Sequence, residues 1–308
     1  MRIVRVGTRG SRLALAQTGQ VIETLRATHP SISFESVVIK TTGDIRSDVP
    51  FAAVGTKGMF VKEIEEALLS SAIDLAIHSL KDMPGELPAG LALGAVPTRE
   101  DPRDALVSHG VTLDKLHLGA RIGSSSLRRQ AQIRAFRPDL IVDDLRGNLD
   151  TRIRKLDDGN FDGIILACAG LERLGLTSRI SERLSIDISV PAPGQGALAL
   201  EVRAEDSETK NLLDSVNDKD ASDAITAERA FQLTLDGGCH VPAGAFAEVR
   251  GDVLSIIAMI AAPDGSEVLR AERMGSRADA AKIGIDAATE LLDRGGDRYL
   301  QQQSAANA

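Results

Sequence analysis

Ile73-Asp74-Leu75-Ala76-Ile77-His78-Ser79-Leu80-Lys81-Asp82-Met83-Pro84 decides the fold. The apolar start, Ile73 to Ile77, reads as a buried strand. It breaks at once into a polar turn carrying a histidine, a serine, a lysine and a carboxylate. In an open α/β sheet, ligands sit in the crevice beyond the carboxyl ends of the strands. On that plan Asp82 projects into a crevice to which the chain elsewhere offers many arginines. A local reading stands beside it, in which Asp82 caps a turn before Pro84 and pairs with Lys81.

Upstream the same build recurs. Ile3 to Val6 alternates as a strand and delivers Gly7-Thr8-Arg9-Gly10-Ser11, and residues 11–26 read as a helix. Ala14, Thr18, Val21, Ile22 and Leu25 form its apolar stripe. Free N–H groups and the positive dipole end at such a helix start make an anion site, to which Arg9 adds charge. The competing reading is a plain turn with Ser11 as N-cap. A second strand is expected over Ser36 to Lys40. Residues 43–58 read as a long loop, and loops of that length are functional lids or disordered. Lys57 opens a helix with Phe60, Ile64, Ala67 and Leu68 on one side. A cation there opposes the helix dipole, which hints at a bound anion against the alternative of a solvated lysine. Leu91 to Val96 is another strand, and the charged, proline-flanked stretch 97–104 is a hinge.

Arginines mark the next lobe. Arg121-Ile122-Gly123-Ser124-Ser125-Ser126-Leu127-Arg128-Arg129 is again strand, turn and helix start, with serines able to cap the helix. Arg146 follows the strand Leu140 to Val142, Arg152 opens the next helix, and Arg173 follows the strand Ile164 to Cys168. From Arg121 to Lys155 nine basic residues face four aspartates, a local excess of +5 in a chain of −8. Arg134, Arg137 and Arg154 fit a solvated face. Arginine at three successive strand-to-helix junctions suits a ligand with several anionic groups, because guanidinium grips carboxylate or phosphate bidentately. A second crossing, Pro191-Ala192-Pro193-Gly194-Gln195-Gly196-Ala197, leads into the strand Leu198 to Val202. Two crossings between two α/β lobes is the plan of a hinged binding protein with its ligand between the lobes. From about Ser222 a helix (223–235), three meander strands (245–249, 253–261, 267–273) and a last helix (277–294) make a small α+β domain. The tail beyond about 300 reads as disordered.

With 308 residues the chain suits two or three domains. The expected division is 1–98 with 196–217, then 99–195, then 218–308. Aromatic residues are only 3% of the chain, with no Trp, and the net charge is −8. Both argue against a base-stacking or polyanion-binding surface, so no nucleic-acid partner is expected. No stretch approaches a membrane span, no secretory signal opens the chain, and Cys168 and Cys239 make neither a disulfide framework nor a metal site. The expectation is a cytoplasmic protein, monomeric, without a metal. Cys168 reads as a core residue. Cys239, in a glycine loop past a helix C-terminus, suits a thiol alkylated once better than a thiolate used at every turnover; an incidental loop cysteine is the alternative.

Taken in order, Thr8-Arg9-Gly10-Ser11, Gly55-Thr56-Lys57-Gly58-Met59-Phe60, His78 to Pro84, Arg99-Glu100-Asp101-Pro102-Arg103-Asp104 and Ser125 to Arg129 resemble the porphobilinogen deaminase (hydroxymethylbilane synthase) family. Leu145-Arg146-Gly147-Asn148, Gly194-Gln195-Gly196 and Gly237-Gly238-Cys239 extend the resemblance over essentially the whole chain. It implies two hinged lobes like those of type II periplasmic binding proteins, plus a C-terminal α+β domain with a three-stranded antiparallel sheet. It also implies a dipyrromethane cofactor held by a thioether to Cys239. Four porphobilinogen molecules are added to it with loss of ammonia, and hydroxymethylbilane is released by hydrolysis. Asp82 then stabilises the cation left when ammonia departs. Arg9, Ser11, Lys57, Lys81, Ser124, Ser125, Ser126, Arg128, Arg129, Arg146, Arg152 and Arg173 bind the pyrrole carboxylates, with Phe60 and Gln195 in the pocket. Ser124, where many members carry threonine, and Gly10 are minor departures. Two other classes compete: a non-enzymatic hinged anion-binding protein, and a phosphate-handling transferase, for which a P-loop is missing.

Overall fold

The computed structural model describes residues 2–42, 61–235 and 242–300. In chain order its elements begin β1 (Arg2–Thr8), α1 (Arg12–Thr28), β2 (Ile32–Val38), α2 (Lys62–Leu69), β3 (Leu75–Ser79), β4 (Leu91–Ala95) and β5 (Asp104–Val107). Next come β6 (Arg121–Gly123), α3 (Leu127–Phe136), β7 (Ile141–Asp143), α4 (Leu149–Asp157), β8 (Gly163–Ala167), α5 (Cys168–Arg173) and β9 (Glu182–Arg183). The chain continues with β10 (Leu198–Arg203), α6 (Ser207–Leu213), α7 (Lys219–Thr234), β11 (Ala243–Arg250), β12 (Val253–Ala261), β13 (Val268–Ser276) and α8 (Ala280–Leu291). They divide into two compact units, Met1–Glu100 with Ala197–Ser222, and Asp101–Gly196 with Asp223–Ala308.

In the first unit a five-stranded sheet runs β2-β1-β3-β10-β4. β1 pairs parallel with β2 and β3, whereas β10 runs antiparallel to β3 and β4. The two faces of β3 have different covers. Leu75 and Ile77 join Val4, Val6, Val21, Ile22, Leu25 and Phe34 in the core under α1, while Ala76 lies with Ile64 and Leu68 of α2. That alternation is the period-two signature of a strand buried on both faces. The second strand begins at Ile32, four residues before the expected start. As the sheet edge it buries only Phe34 fully, so its sequence alternates weakly. α6 was not expected; Asp206 caps it by accepting the Thr209 N–H at 2.9 Å.

The second unit holds a sheet ordered β7-β6-β8-β5-β9, with β6 parallel to β7 and β8, and β5 antiparallel to β8 and β9. Both sheets therefore read 2-1-3-n-4, where n is an antiparallel strand supplied from elsewhere in the chain. That is the order of a type II binding-protein lobe. The unit also contains the antiparallel sheet β11-β12-β13. Ala224, Ala227, Phe231 and Leu235 pack with that sheet and α8 in one core, the inward face expected of the helix. Met259 and Ala261 of the sheet pack on Ala131 of α3 and on Val190. α8 can approach α7 only because residue 284 is glycine: a Cβ there would lie 2.0 Å from the Ala227 carbonyl oxygen. Cys168 opens α5 rather than ending β8; it is fully buried, and burial pushes its thiol up to about 12. Such a thiol is a core group.

Candidate active site

β3 ends where the Leu80 N–H donates to the Ala197 carbonyl at 3.1 Å, and a single 3-10 turn, Leu80–Asp82, follows. Leu80 and Met83 are buried and pin the turn on both sides. Asp82 between them is exposed, at the edge of a pocket shared with Arg9, Ser11, Gln17, His78 and Ser79. Ser11 caps α1, its Oγ accepting the Ala14 N–H at 3.3 Å. A hydroxyl that accepts one bond keeps its own hydrogen to donate, so Ser11 can serve the helix and an anion together. Thus Arg9 and Ser11 meet Asp82, distant from them in sequence, at the carboxyl ends of β1 and β3.

Gln17 and His78 complete this pocket and were not among the expected site residues. Gln17 is buried, and its Nε2 donates to Ser79 Oγ at 2.9 Å. The signal was a glutamine on the apolar stripe of α1, one turn past Ala14. His78 stood in the deciding stretch itself; its Nε2 lies 3.0 Å from Glu201 Oε2, both side chains buried. Lys81 lies on the turn but does not line the pocket.

In the second unit the arginines sort into two kinds. Arg128 and Arg129 are 4% and 5% exposed and both grip Asp104, which is fully buried. Arg128 Nη1 lies 2.8 Å from Asp104 Oδ2, and Arg129 Nη2 lies 2.6 Å from Oδ1. Ser189 Oγ and Gln195 Nε2 donate to the same carboxylate at 2.7 and 2.9 Å. Burial alone would raise the Asp104 pKa. The two guanidiniums outweigh it and hold the carboxyl well below its usual range. The pair therefore does not stand open at the start of α3, as the sequence suggested; a buried carboxylate gathers it. The cluster still carries two cations on one anion, and Arg128 Nε is buried with no hydrogen-bond partner. That surplus fits a further carboxylate.

Arg146, Arg152 and Arg173 are half-buried. Arg146 lies 3.4 Å from Asp144; Arg152 Nε donates to the Gly147 carbonyl at 2.8 Å and Arg173 Nη2 to the Gly196 carbonyl at 2.9 Å. Ser125 Oγ donates to the Leu145 carbonyl at 2.6 Å, and Ser124 Oγ accepts the Ser126 N–H at 3.3 Å. Ser126 takes the N-cap position of α3 without a side-chain bond to it, so serine capping there is not realised. Arg134 and Arg137, expected on a solvated face, bind carbonyls instead: Arg134 those of Pro263 and Val142, Arg137 those of Leu113 and Leu116. Lys57, Phe60 and Cys239 lie outside the described residues, as do the loop 43–58 and the tail beyond 300. Among the described residues no group of His, Cys, Asp and Glu could hold a metal ion.

Residues 4–211 match the family described as porphobilinogen deaminase, dipyromethane cofactor binding domain, and residues 223–293 match the porphobilinogen deaminase C-terminal domain. The chain belongs to the porphobilinogen deaminase family. It is 50% identical over 302 residues to the porphobilinogen deaminase of Syntrophobacter fumaroxidans, covering 98% of each chain. It is also 50% identical over 300 residues to that of Syntrophus aciditrophicus, covering 97% of this chain and 98% of the relative. Among solved structures, the probable amino-acid ABC transporter extracellular-binding protein ytmK from Bacillus subtilis is similar at 10% identity. That match has a TM-score of 0.41 and covers 70% of this chain and 90% of that one. Membership of the porphobilinogen deaminases does not favour the non-enzymatic anion-binding alternative.

Proposed function

We propose that this chain, a transferase of tetrapyrrole biosynthesis, joins four porphobilinogen molecules head to tail with loss of ammonia and then releases hydroxymethylbilane, with Asp82 as its catalytic carboxylate. The observation that carries the role of Asp82 is the pocket itself: one exposed carboxylate at a strand end, beside a guanidinium and a hydroxyl that can bind acids. Arg9 and Ser11 would hold a substrate carboxylate. Asp82 would accept pyrrole N–H groups and face the positive charge left when the C–N bond to ammonia breaks. Each addition breaks one C–N bond and forms one C–C bond. The ring carbon that is attacked loses one proton and departing ammonia takes one up, so Asp82 ends each cycle as a carboxylate.

The dipyrromethane fits the second unit, whose buried guanidiniums exceed their carboxylate by one charge. When bound, it supplies the pyrrole end to which the first substrate unit is joined. Arg128, Arg129, Arg146, Arg152 and Arg173, with Lys57, Lys81, the serines 124–126, Phe60 and Gln195, would hold acetate and propionate groups, and Cys239 Sγ would anchor the cofactor as a thioether. We further propose residues 1–98 with 196–217, 99–195 and 218–308 as three domains of a monomer working in the cytoplasm. No helix among the described residues is long and apolar enough to cross a membrane.

Intact-protein mass spectrometry of the wild type and Cys239→Ser, before and after adding porphobilinogen, tests this reading. The wild type should carry a mass excess of two pyrrole units that Cys239→Ser lacks, and should gain single units with substrate. A folded wild type that never gains mass would sink it.

A further inference from the structure

Beneath the pocket lies a group of ionisable residues that the reaction as described does not use. On β3, Ala76 and His78 share the face covered by α2, and on β10 Ala199 and Glu201 share it, with Ala199 opposite His78. Glu201 lies two residues along, so its carboxylate reaches back diagonally to the imidazole at 3.0 Å. α2 adds a third ionisable group, Glu65, which is buried beside Ile64 and Leu68. One oxygen of Glu65 and one of Glu201 are buried with no hydrogen-bond partner. Unpaired buried carboxylate oxygens are costly, and a proton on one of the two acids relieves the cost. Only His78 of the three lines the pocket that holds Asp82.

We propose that Glu65 and Glu201 are positioning residues for the reaction at Asp82: with His78 they form a buried cluster in which Glu65 exchanges a proton, and the charge this changes acts on the pocket through the imidazole. This rests on the reading of Asp82 as the catalytic carboxylate. Burial first, then the charge of Glu201, pushes Glu65 up to about 7, with His78 opposing. Few other charges face the cluster. Glu66 is the remaining acid felt from α2, where Lys62 lies 3.9 Å from it at the surface. Arg203 of β10 is held by Asp74 and Asp206, and β4 offers no ionisable side chain. On the pocket side stand Asp82 and Arg9, with Lys81 on the turn but outside the pocket lining. Loss of the cluster proton therefore adds one negative charge behind a pocket that must stabilise a cation, and turnover rises with it.

The test is the pH profile of kcat and KM for the wild-type holoenzyme, Glu65→Gln, Glu65→Asp and Asp82→Asn, with the ¹⁵N imidazole resonances of His78 followed over the same range. Glu65→Gln should hold kcat at the acid limit of the wild type, about tenfold lower at pH 8, the scale of one unit charge ~10 Å away at an effective dielectric of ~20. Its KM should stay within about twofold, because the lost charge acts on the transition state rather than on binding. Glu65→Asp should restore the titration in part. His78 should sense an ionisation near neutrality that vanishes in Glu65→Gln and persists in Asp82→Asn. A folded Glu65→Gln with an unchanged profile, or His78 resonances indifferent to it, overturns the positioning role while leaving Asp82 catalytic. Wild-type turnover in Asp82→Asn overturns the catalytic reading itself, and the positioning role with it.

Discussion

Asp82 is exposed, yet the residues on either side of its turn, Leu80 and Met83, are among the buried ones. The fold thus holds the turn by its apolar members and leaves the carboxylate out of the packing. Asp82→Asn should therefore leave the melting temperature within a degree or two. Charge pairing with a cation ~4 Å away at an effective dielectric of ~20 is worth up to about 4 kcal/mol, so kcat should fall by roughly three decades. Parallel calorimetry and steady-state kinetics would check both halves; a variant that keeps its turnover would refute the role. The place of Asp82 just past a buried strand was legible in the sequence because an apolar run leads straight into it. Gln17 was not, because a glutamine on an apolar helix stripe acquires meaning only when Ser79, sixty-two positions away, arrives beside it. Lone residues whose partners come from another element are the ones that periodicity cannot find.

At the scale of elements, α3 shows what a run of arginines can hide. Two adjacent guanidiniums at a helix start look like a site for an external anion, but β5 delivers Asp104 beneath them and the helix closes on it. Nothing local in the sequence announces that pairing across more than twenty residues. Asp104→Asn would leave two guanidiniums buried with no counter-charge, which costs on the order of 3–5 kcal/mol. The pH dependence has a definite sign. Asp104 is held below the usual carboxylate range, so its contribution is complete above the unfolded value near pH 4 and is lost as pH falls below that. Thermal melts should show a wide gap between wild type and Asp104→Asn at pH 7 that narrows below about pH 4. A gap that is constant with pH would mean that packing, not charge, accounts for the loss. The succession of strands and helices was readable in outline: three glycine- or serine-marked junctions located three helix starts. β9 was not read and β2 was placed four residues late, since both bury too little to leave a pattern.

Each of the two units of the whole molecule carries its own apolar cores, one around Leu25, Phe34 and Leu200, another around Phe231, Ile260 and Leu291. The sequence showed the C-terminal helices and meander as a change of texture after Ser222. It did not show that this C-terminal part packs on the arginine-rich lobe, because the joining residues, Ala131, Val190, Met259 and Ala261, are ordinary apolar residues in ordinary places. A chain of separate cores need not unfold as one cooperative piece. Gly284→Ala isolates the second core. Its added methyl would meet the Ala227 carbonyl at 2.0 Å, a backbone atom that can yield only by moving α7 from α8. Overpacking of that kind costs typically about 1–3 kcal/mol. Hydrogen exchange read by mass spectrometry should then show faster exchange in peptides from 101–196, 223–235 and 242–300, with those from 2–42, 61–100 and 197–218 unchanged. Uniform acceleration across both sets would mean that the two units unfold as one, and the division drawn from their packing would have no energetic counterpart.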